Sequence, residues 1–128
     1  MGEKDKKKEP TMDNYFSNLN NKLQKLEKRA RRKNIPFSLT PNWIRDKLDA
    51  GRCEVTGLPF KTHRDPYVNP YYPSIDRVDS NKGYTENNCQ MVCHMYNTAK
   101  CEFPEEVFAY WAAAFVKKYE EDNNEIVL

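Results

Sequence analysis

From Met12 onward the apolar residues recur at steps of three and four: Tyr15, Phe16, Leu19, Leu23, Leu26 and Ala30. That period places one buried stripe on a helix ending near Lys33, and Thr11 suits its N-cap because a hydroxyl oxygen can accept from unpaired first-turn amides. Ile35-Pro36-Phe37 reads as extended chain. Thr40-Pro41 then opens a second helix, a cap followed by a proline at the one turn where its missing amide is harmless. Trp43, Ile44 and Leu48 form that helix's core-facing set, and Gly51 closes it. Residues 53–57 read as a short strand entering a turn. Residues 61–73, K-T-H-R-D-P-Y-V-N-P-Y-Y-P, hold too many prolines for a helix and predict a loop whose tyrosine rings cap the core. Two short β runs follow, at 74–78 and 89–92, joined by polar turn chemistry in which Gly83 supplies a backbone conformation other residues resist. A helix starts near Cys93. After Pro104, E-E-V-F-A-Y-W-A-A-A-F-V-K-K-Y predicts a strong helix with Val107, Phe108, Trp111, Ala114 and Phe115 on one face. Its expected task is to complete the core against the first two helices.

Residues 1–10 are a charged tail too poor in apolar groups to order themselves, and residues 121–128 are expected to fray. Residues 11–120 then make a single α+β domain, which 128 residues with 38% hydrophobic and 12% aromatic content can fill. No long uncharged apolar run predicts a membrane span, and M-G-E-K-D-K-K-K does not resemble a signal peptide. A cytoplasmic location follows as the expectation. Four cysteines without a secreted-type framework favour reduced thiols.

Charge changes the picture more than composition does. The net value is only +2, yet residues 1–33 carry eleven Lys or Arg against five Asp or Glu, and the remainder is net acidic. Lys22, Lys25, Lys28, Arg29, Arg31, Arg32 and Lys33 concentrate seven positive charges on the first helix. Such a stripe is either a solvated helix face or a surface that neutralises phosphates and releases their counterions.

Candidate chemistry lies between Ser74 and Lys100. Asp76, Asn88 and Asn97 have the spacing of a compact metal site: a β run, a Gly-containing loop, a second run and a helix that folds back to bring Asn97 towards Asp76. A carboxylate and an amide oxygen are hard donors suited to a divalent cation that keeps waters for chemistry. The order T-G-L-P-F, S-I-D-R-V-D-S-x-x-G-Y-T-x-x-N and C-H-x-x-N-x-x-K resembles the HNH endonucleases, particularly small single-domain members common in phage genomes. The resemblance spans roughly residues 28 to 118, with its specific motifs in 53–60 and 74–100.

What the resemblance implies is a ββα-metal (HNH, or His-Me finger) core flanked by two N-terminal helices and one C-terminal helix. It implies Asp76 and Asn97 as ligands of Mg²⁺ or Mn²⁺, Asn88 as the brace of the loop, and Lys100 as a phosphate contact. DNA is the implied partner, with no membrane, as a monomer or homodimer, in the host cytoplasm if the chain is phage-encoded. An alternative is an attenuated module that binds DNA without cutting it. One position departs from the pattern: where the family has a histidine base, this chain has Arg77, which stays protonated and suits charge stabilisation instead. The proton acceptor stays open among His63, His94, Asp79 and a metal-bound hydroxide. Related nucleases also hold a structural Zn²⁺ with two Cys-x-x-Cys pairs. Here Cys53 and Cys93 keep only the first member of each, and two thiolates do not close a tetrahedral site. Packing of Cys53 against Cys93 as buried hydrophobes is the competing expectation.

Overall fold

Helix α1 (Met12–Lys33) starts at the expected cap. Thr11 Oγ1 accepts from the Asn14 amide at 3.2 Å while Asn14 Oδ1 accepts from the Thr11 amide at 2.8 Å, a reciprocal box that satisfies two otherwise orphaned donors. Asn34, left-handed at φ 54, ends the helix. Helix α2 (Pro41–Ala50) is capped by Thr40, whose oxygen accepts from Trp43, and is closed by Gly51 at φ 78, a backbone region glycine enters without strain. The computed structural model describes residues 11–61 and 69–123, and the statements below concern those residues.

The sheet is small. Strands β1 (Pro73–Arg77) and β2 (Cys89–Cys93) pair antiparallel, with Ser74 opposite Val92 and Asp76 opposite Gln90. Helix α3 (His94–Lys100) follows β2 directly and packs on both strands, and α4 (Glu105–Asn123) continues from it. The architecture is therefore α+β, with a β-β-α unit set against the α1–α2 pair. One apolar cluster joins them: Tyr15, Leu19, Leu23 and Leu26 of α1, Ile44 and Leu48 of α2, Ile75 of β1, and Met91 and Val92 of β2. Complete burial of each such side chain is worth about 1.5–3 kcal/mol, which makes this cluster the main source of stability.

Three expectations are corrected. Residues 53–57 are a turn rather than a strand, closed by the Gly57 amide on the Cys53 carbonyl at 2.9 Å. It is docked on β2 by Glu54, whose amide reaches the Met91 carbonyl at 3.0 Å and whose carboxylate accepts from the Met91 amide at 2.6 Å. Helix α4 does not complete the core: none of its residues is buried, and it packs on α3. It runs from Glu105 to Asn123. Gly83 does not have the positive φ expected of it. It is needed for room instead, because a Cβ there would collide with the Pro36 carbonyl oxygen. That approach is tight because the linker before α2 is stitched to the β1–β2 loop: the Tyr84 amide donates to Pro36 and the Ser38 amide to Tyr84, both at 2.9 Å.

The tyrosine-rich loop caps the core where it is described. The Tyr72 ring lies 4.6 Å from that of Tyr15, and Asn69, buried, donates to the Lys61 carbonyl at 2.9 Å. No helix among the described residues is long and apolar enough to cross a membrane.

Gly83→Ala should lower stability by about 2 kcal/mol or more, as overpacking against backbone that cannot yield does. Urea unfolding reads this directly, and an unchanged midpoint would show that the loop and linker are free to separate.

Candidate functional site

Antiparallel pairing fixes which way Asp76 faces. With period-two alternation, Ser74 and Asp76 share one face of β1, and α3 covers that face. Asp76 is buried there. Its Oδ1 accepts from Lys100 Nζ at 3.1 Å, and its Oδ2 accepts from Nε2 of Gln90, directly opposite on β2, at 3.0 Å. Asn97, one helical turn before Lys100, donates from Nδ2 to Ser74 Oγ at 2.6 Å and to the Ile75 carbonyl at 3.4 Å. Those bonds fix the amide's orientation and leave its Oδ1 with no hydrogen bond among the described residues.

Asn88 holds the loop between the strands. Its Oδ1 accepts from the Asp79 amide at 3.0 Å, while Nδ2 donates to the Asp79 carbonyl at 3.0 Å and the Gly83 carbonyl at 2.8 Å. Both ends of the turn are thereby tied to the residue that precedes β2. Asp79 serves the same turn, accepting from the Asn81 amide at 2.9 Å. Arg77 is held on two sides: its Nη1 donates to the Lys82 carbonyl at 3.0 Å, and its guanidinium lies 4.6 Å from the centre of the Tyr84 ring. A guanidinium has five N–H donors, so most stay available for an anion.

Asp76, Arg77, Tyr84 and Asn97 line one cleft of about 200 Å³, closed on its far side by Lys22, Leu26 and Arg29 of α1. Of the seven basic residues on that helix, all exposed, Lys22 and Arg29 are the two that reach it, seven positions and so about two turns apart. Arg31 is engaged with Glu27 at 3.2 Å, and Lys25, Lys28, Arg32 and Lys33 face elsewhere on the surface. Because Lys100 offsets the charge of Asp76, the field in the cleft comes from Lys22, Arg29 and Arg77 against Glu102 alone, and is positive.

Lys100 is the residue whose place differs most from expectation. It is 2% exposed, standing behind Asp76 with a second bond to the Arg77 carbonyl at 3.3 Å, so it is a buried counter-ion and not a solvent-facing phosphate contact. His94 does not line the cleft either. It borders a neighbouring hollow with Asn18, Lys22 and Ser74, its Nε2 3.4 Å from Thr98 Oγ1. His63 lies outside the described residues. Tyr84, Gln90 and Ser74 were missed in the sequence. Once β1 and β2 are aligned, counting from Pro73 opposite Cys93 places Gln90 beside Asp76, but Tyr84 reaches Arg77 through loop geometry that no periodicity encodes.

The donors suit a magnesium-like ion: one carboxylate and one amide oxygen, with the remaining positions left to water and phosphate. Lys100 sets a cost, since an ammonium already sits on the same carboxylate. Cys53 and Cys93 do meet in the core. Burial raises the Cys53 thiol, but hydrogen bonds from Thr56 and from the Cys93, Val55 and Thr56 backbone outweigh it and leave it lowered. Burial and the adjacent Cys53 push Cys93 up to about 12. No group of three or more His, Cys, Asp or Glu that could hold a metal forms among the described residues. Cys89 is likewise raised by burial, to about 11, and Cys101 is exposed.

Comparison with known protein families gives no match. An uncharacterized 29.0 kDa protein of Enterobacteria phage T4, from the dda-modA intergenic region, is 31% identical over 91 residues, covering 66% of this chain and 35% of that protein. The chain thus matches about a third of that relative's length. Among solved structures, the rare-cutting HNH restriction endonuclease PacI aligns over 78% of each chain at 19% identity and a TM-score of 0.47.

Removing one member of the buried pair should cost about 3–5 kcal/mol, because the other charge is left uncompensated. Lys100→Met and Asp76→Asn are expected to be strongly non-additive, the double variant being more stable than the sum of the two losses implies. Urea melts of all four proteins measure this, and strict additivity would mean that the two side chains do not interact.

Proposed function

We propose that this chain is a metal-dependent endonuclease of the HNH type, hydrolysing phosphodiester bonds in DNA. The observation that carries the reading is the single cleft in which Asp76 and Asn97 of the β-β-α unit face Lys22 and Arg29 of α1 across Arg77. One carboxylate and one amide oxygen suited to a cation, and cationic groups suited to a phosphate backbone, line the same cleft.

Asp76 and Asn97 Oδ1 would hold Mg²⁺ or Mn²⁺, which supplies positive charge to a phosphate oxygen and favours ionisation of a bound water. The chain's own residues do the rest. Lys22 and Arg29 bind flanking phosphates and set the register of the strand in the cleft. Arg77, its orientation fixed by Tyr84 and Lys82, donates to the scissile phosphate and offsets the charge that grows there. Asn88 keeps β1 and the loop in the geometry that aims Arg77, so it is a positioning residue. Among the described residues no histidine lines the cleft, and the proton passes to solvent or to a group outside this set.

A second reading is favoured by one specific contact. With Lys100 Nζ already 3.1 Å from Asp76 Oδ1, the carboxylate is neutralised without a metal, which suits a module that holds DNA and does not cut it. Plasmid nicking in Mg²⁺ or Mn²⁺ separates the two. Under the nuclease reading the natural chain nicks, and Asp76→Asn and Asn97→Ala each fall by on the order of 10²-fold. Equal background from all three, with DNA still retained, would establish the binding module.

Salt dependence tests the α1 side independently. Replacing Lys22 and Arg29 together by Glu should flatten the slope of log K against log salt by about two units, close to 0.9 per lost phosphate contact. An unchanged slope would remove α1 from the interface.

A further inference from the structure

Helix α4 presents its apolar residues to solvent. Trp111 is 71% exposed, Phe115 68%, Val116 49% and Val107 40%, and together with Met95 and Ala99 of α3 and Phe103 they line an apolar groove of about 760 Å³. Taking about 200 Å² for an aromatic side chain, the exposed apolar area here is on the order of 700 Å². That exceeds the ~300–600 Å² patch of an ordinary monomer and approaches the ~800 Å² each partner contributes to a stable interface.

The order of residues says what covers it. From Glu105 to Lys118 the helix reads E-E-V-F-A-Y-W-A-A-A-F-V-K-K, in which V-F near one end is mirrored by F-V near the other and the terminal acids by terminal bases. Two copies laid antiparallel, with a twofold axis between Trp111 and Ala112, would set Val107 beside the partner's Val116, Phe108 beside the partner's Phe115 and Trp111 beside the partner's Ala112. These six positions lie on one face at helical spacing, and all six line the groove. The same axis sets Glu105 beside the partner's Lys118 at the rim of that face, while Glu106 and Lys117 lie on the far side of the helix. A parallel arrangement would put acid on acid and base on base. Lys118 also pairs with Asp122 of its own helix at 3.1 Å, an exposed contact that leaves it free to be shared.

We propose that α4 is a self-association surface whose occupant is the α4 of a second copy, antiparallel and isologous, seated in the groove between α3 and α4. The pairing rests on α4 and not on the nuclease reading, and stands or falls separately from it. A closed twofold interface of this kind buries both copies of the patch at once and leaves no apolar edge for further addition.

Analytical ultracentrifugation of the full chain at micromolar concentrations tests it. The natural chain is expected at twice its 15.2 kDa mass. Trp111→Glu is expected as a monomer. Glu105→Lys in one chain, and Lys118→Glu in another, should each weaken self-pairing by about 10-fold through like-charge contacts. Mixing those two chains should restore a dimer containing one of each, since every contact across the axis is then attractive. Both residues are exposed, so the charge exchange reads association even if Trp111→Glu unfolds. A monomeric natural chain, or charge-reversed chains that pair with themselves as tightly as the natural one, would overturn the proposal.

Discussion

An ammonium and a carboxylate, 2% and 4% exposed, meet behind the cleft at 3.1 Å, and the placement of the candidate site follows from that contact. Burial of either charge alone costs several kcal/mol, so Lys100 on α3 and Asp76 on β1 hold each other in place. Gln90 completes the arrangement from β2 by occupying the second carboxylate oxygen. The geometry ties both strands and the helix to one point. Asn97, one turn before Lys100, is thereby carried to the edge of the cleft beside Asp76, and its amide is turned by Ser74 so that the nitrogen is occupied and the oxygen is not. Asn88 does the corresponding work at the other end of the sheet, closing the loop that positions Arg77.

The pair also sets the electrostatics of the cleft. With Asp76 neutralised from behind, the field belongs to Lys22, Arg29 and Arg77, which favours approach by a polyanion. The same neutralisation works against a metal ion. A divalent cation must compete with Lys100 for the carboxylate or share it, and a bound phosphate adds the negative charge that makes sharing tolerable. Under the proposed nuclease function, metal and nucleic acid are therefore expected to bind cooperatively, each reducing the cost of the other. A chain with a histidine in place of Arg77 would have less positive charge here. In this one the guanidinium and the ammonium together shift the balance towards phosphate.

Much of this was legible in the sequence because it depends on local rules. The stripe from Tyr15 to Ala30, the Thr11 and Thr40 caps and Gly51 specified α1 and α2 through hydrogen bonds and periodicities that need no tertiary context. The two β runs and the turn between them could be placed for the same reason. What was not legible depends on partners distant along the chain. A lysine at the end of a motif reads as a phosphate contact until the strand its helix covers is known, so Lys100 was misplaced. Gly83 was read for its φ, whereas the constraint is the Pro36 backbone, nearly fifty positions earlier. Periodicity shows that α4 has an apolar face but not what covers that face, and so it was assigned to a core that is complete without it.

The most direct test of the central claim is the anomalous difference map of a crystal grown with a short DNA duplex and soaked in Mn²⁺. The account predicts one peak between the Asp76 carboxylate and Asn97 Oδ1, with Lys100 Nζ displaced from Oδ1 or sharing it. No peak at that position, with DNA in the cleft and Lys100 still seated on Asp76, would contradict it.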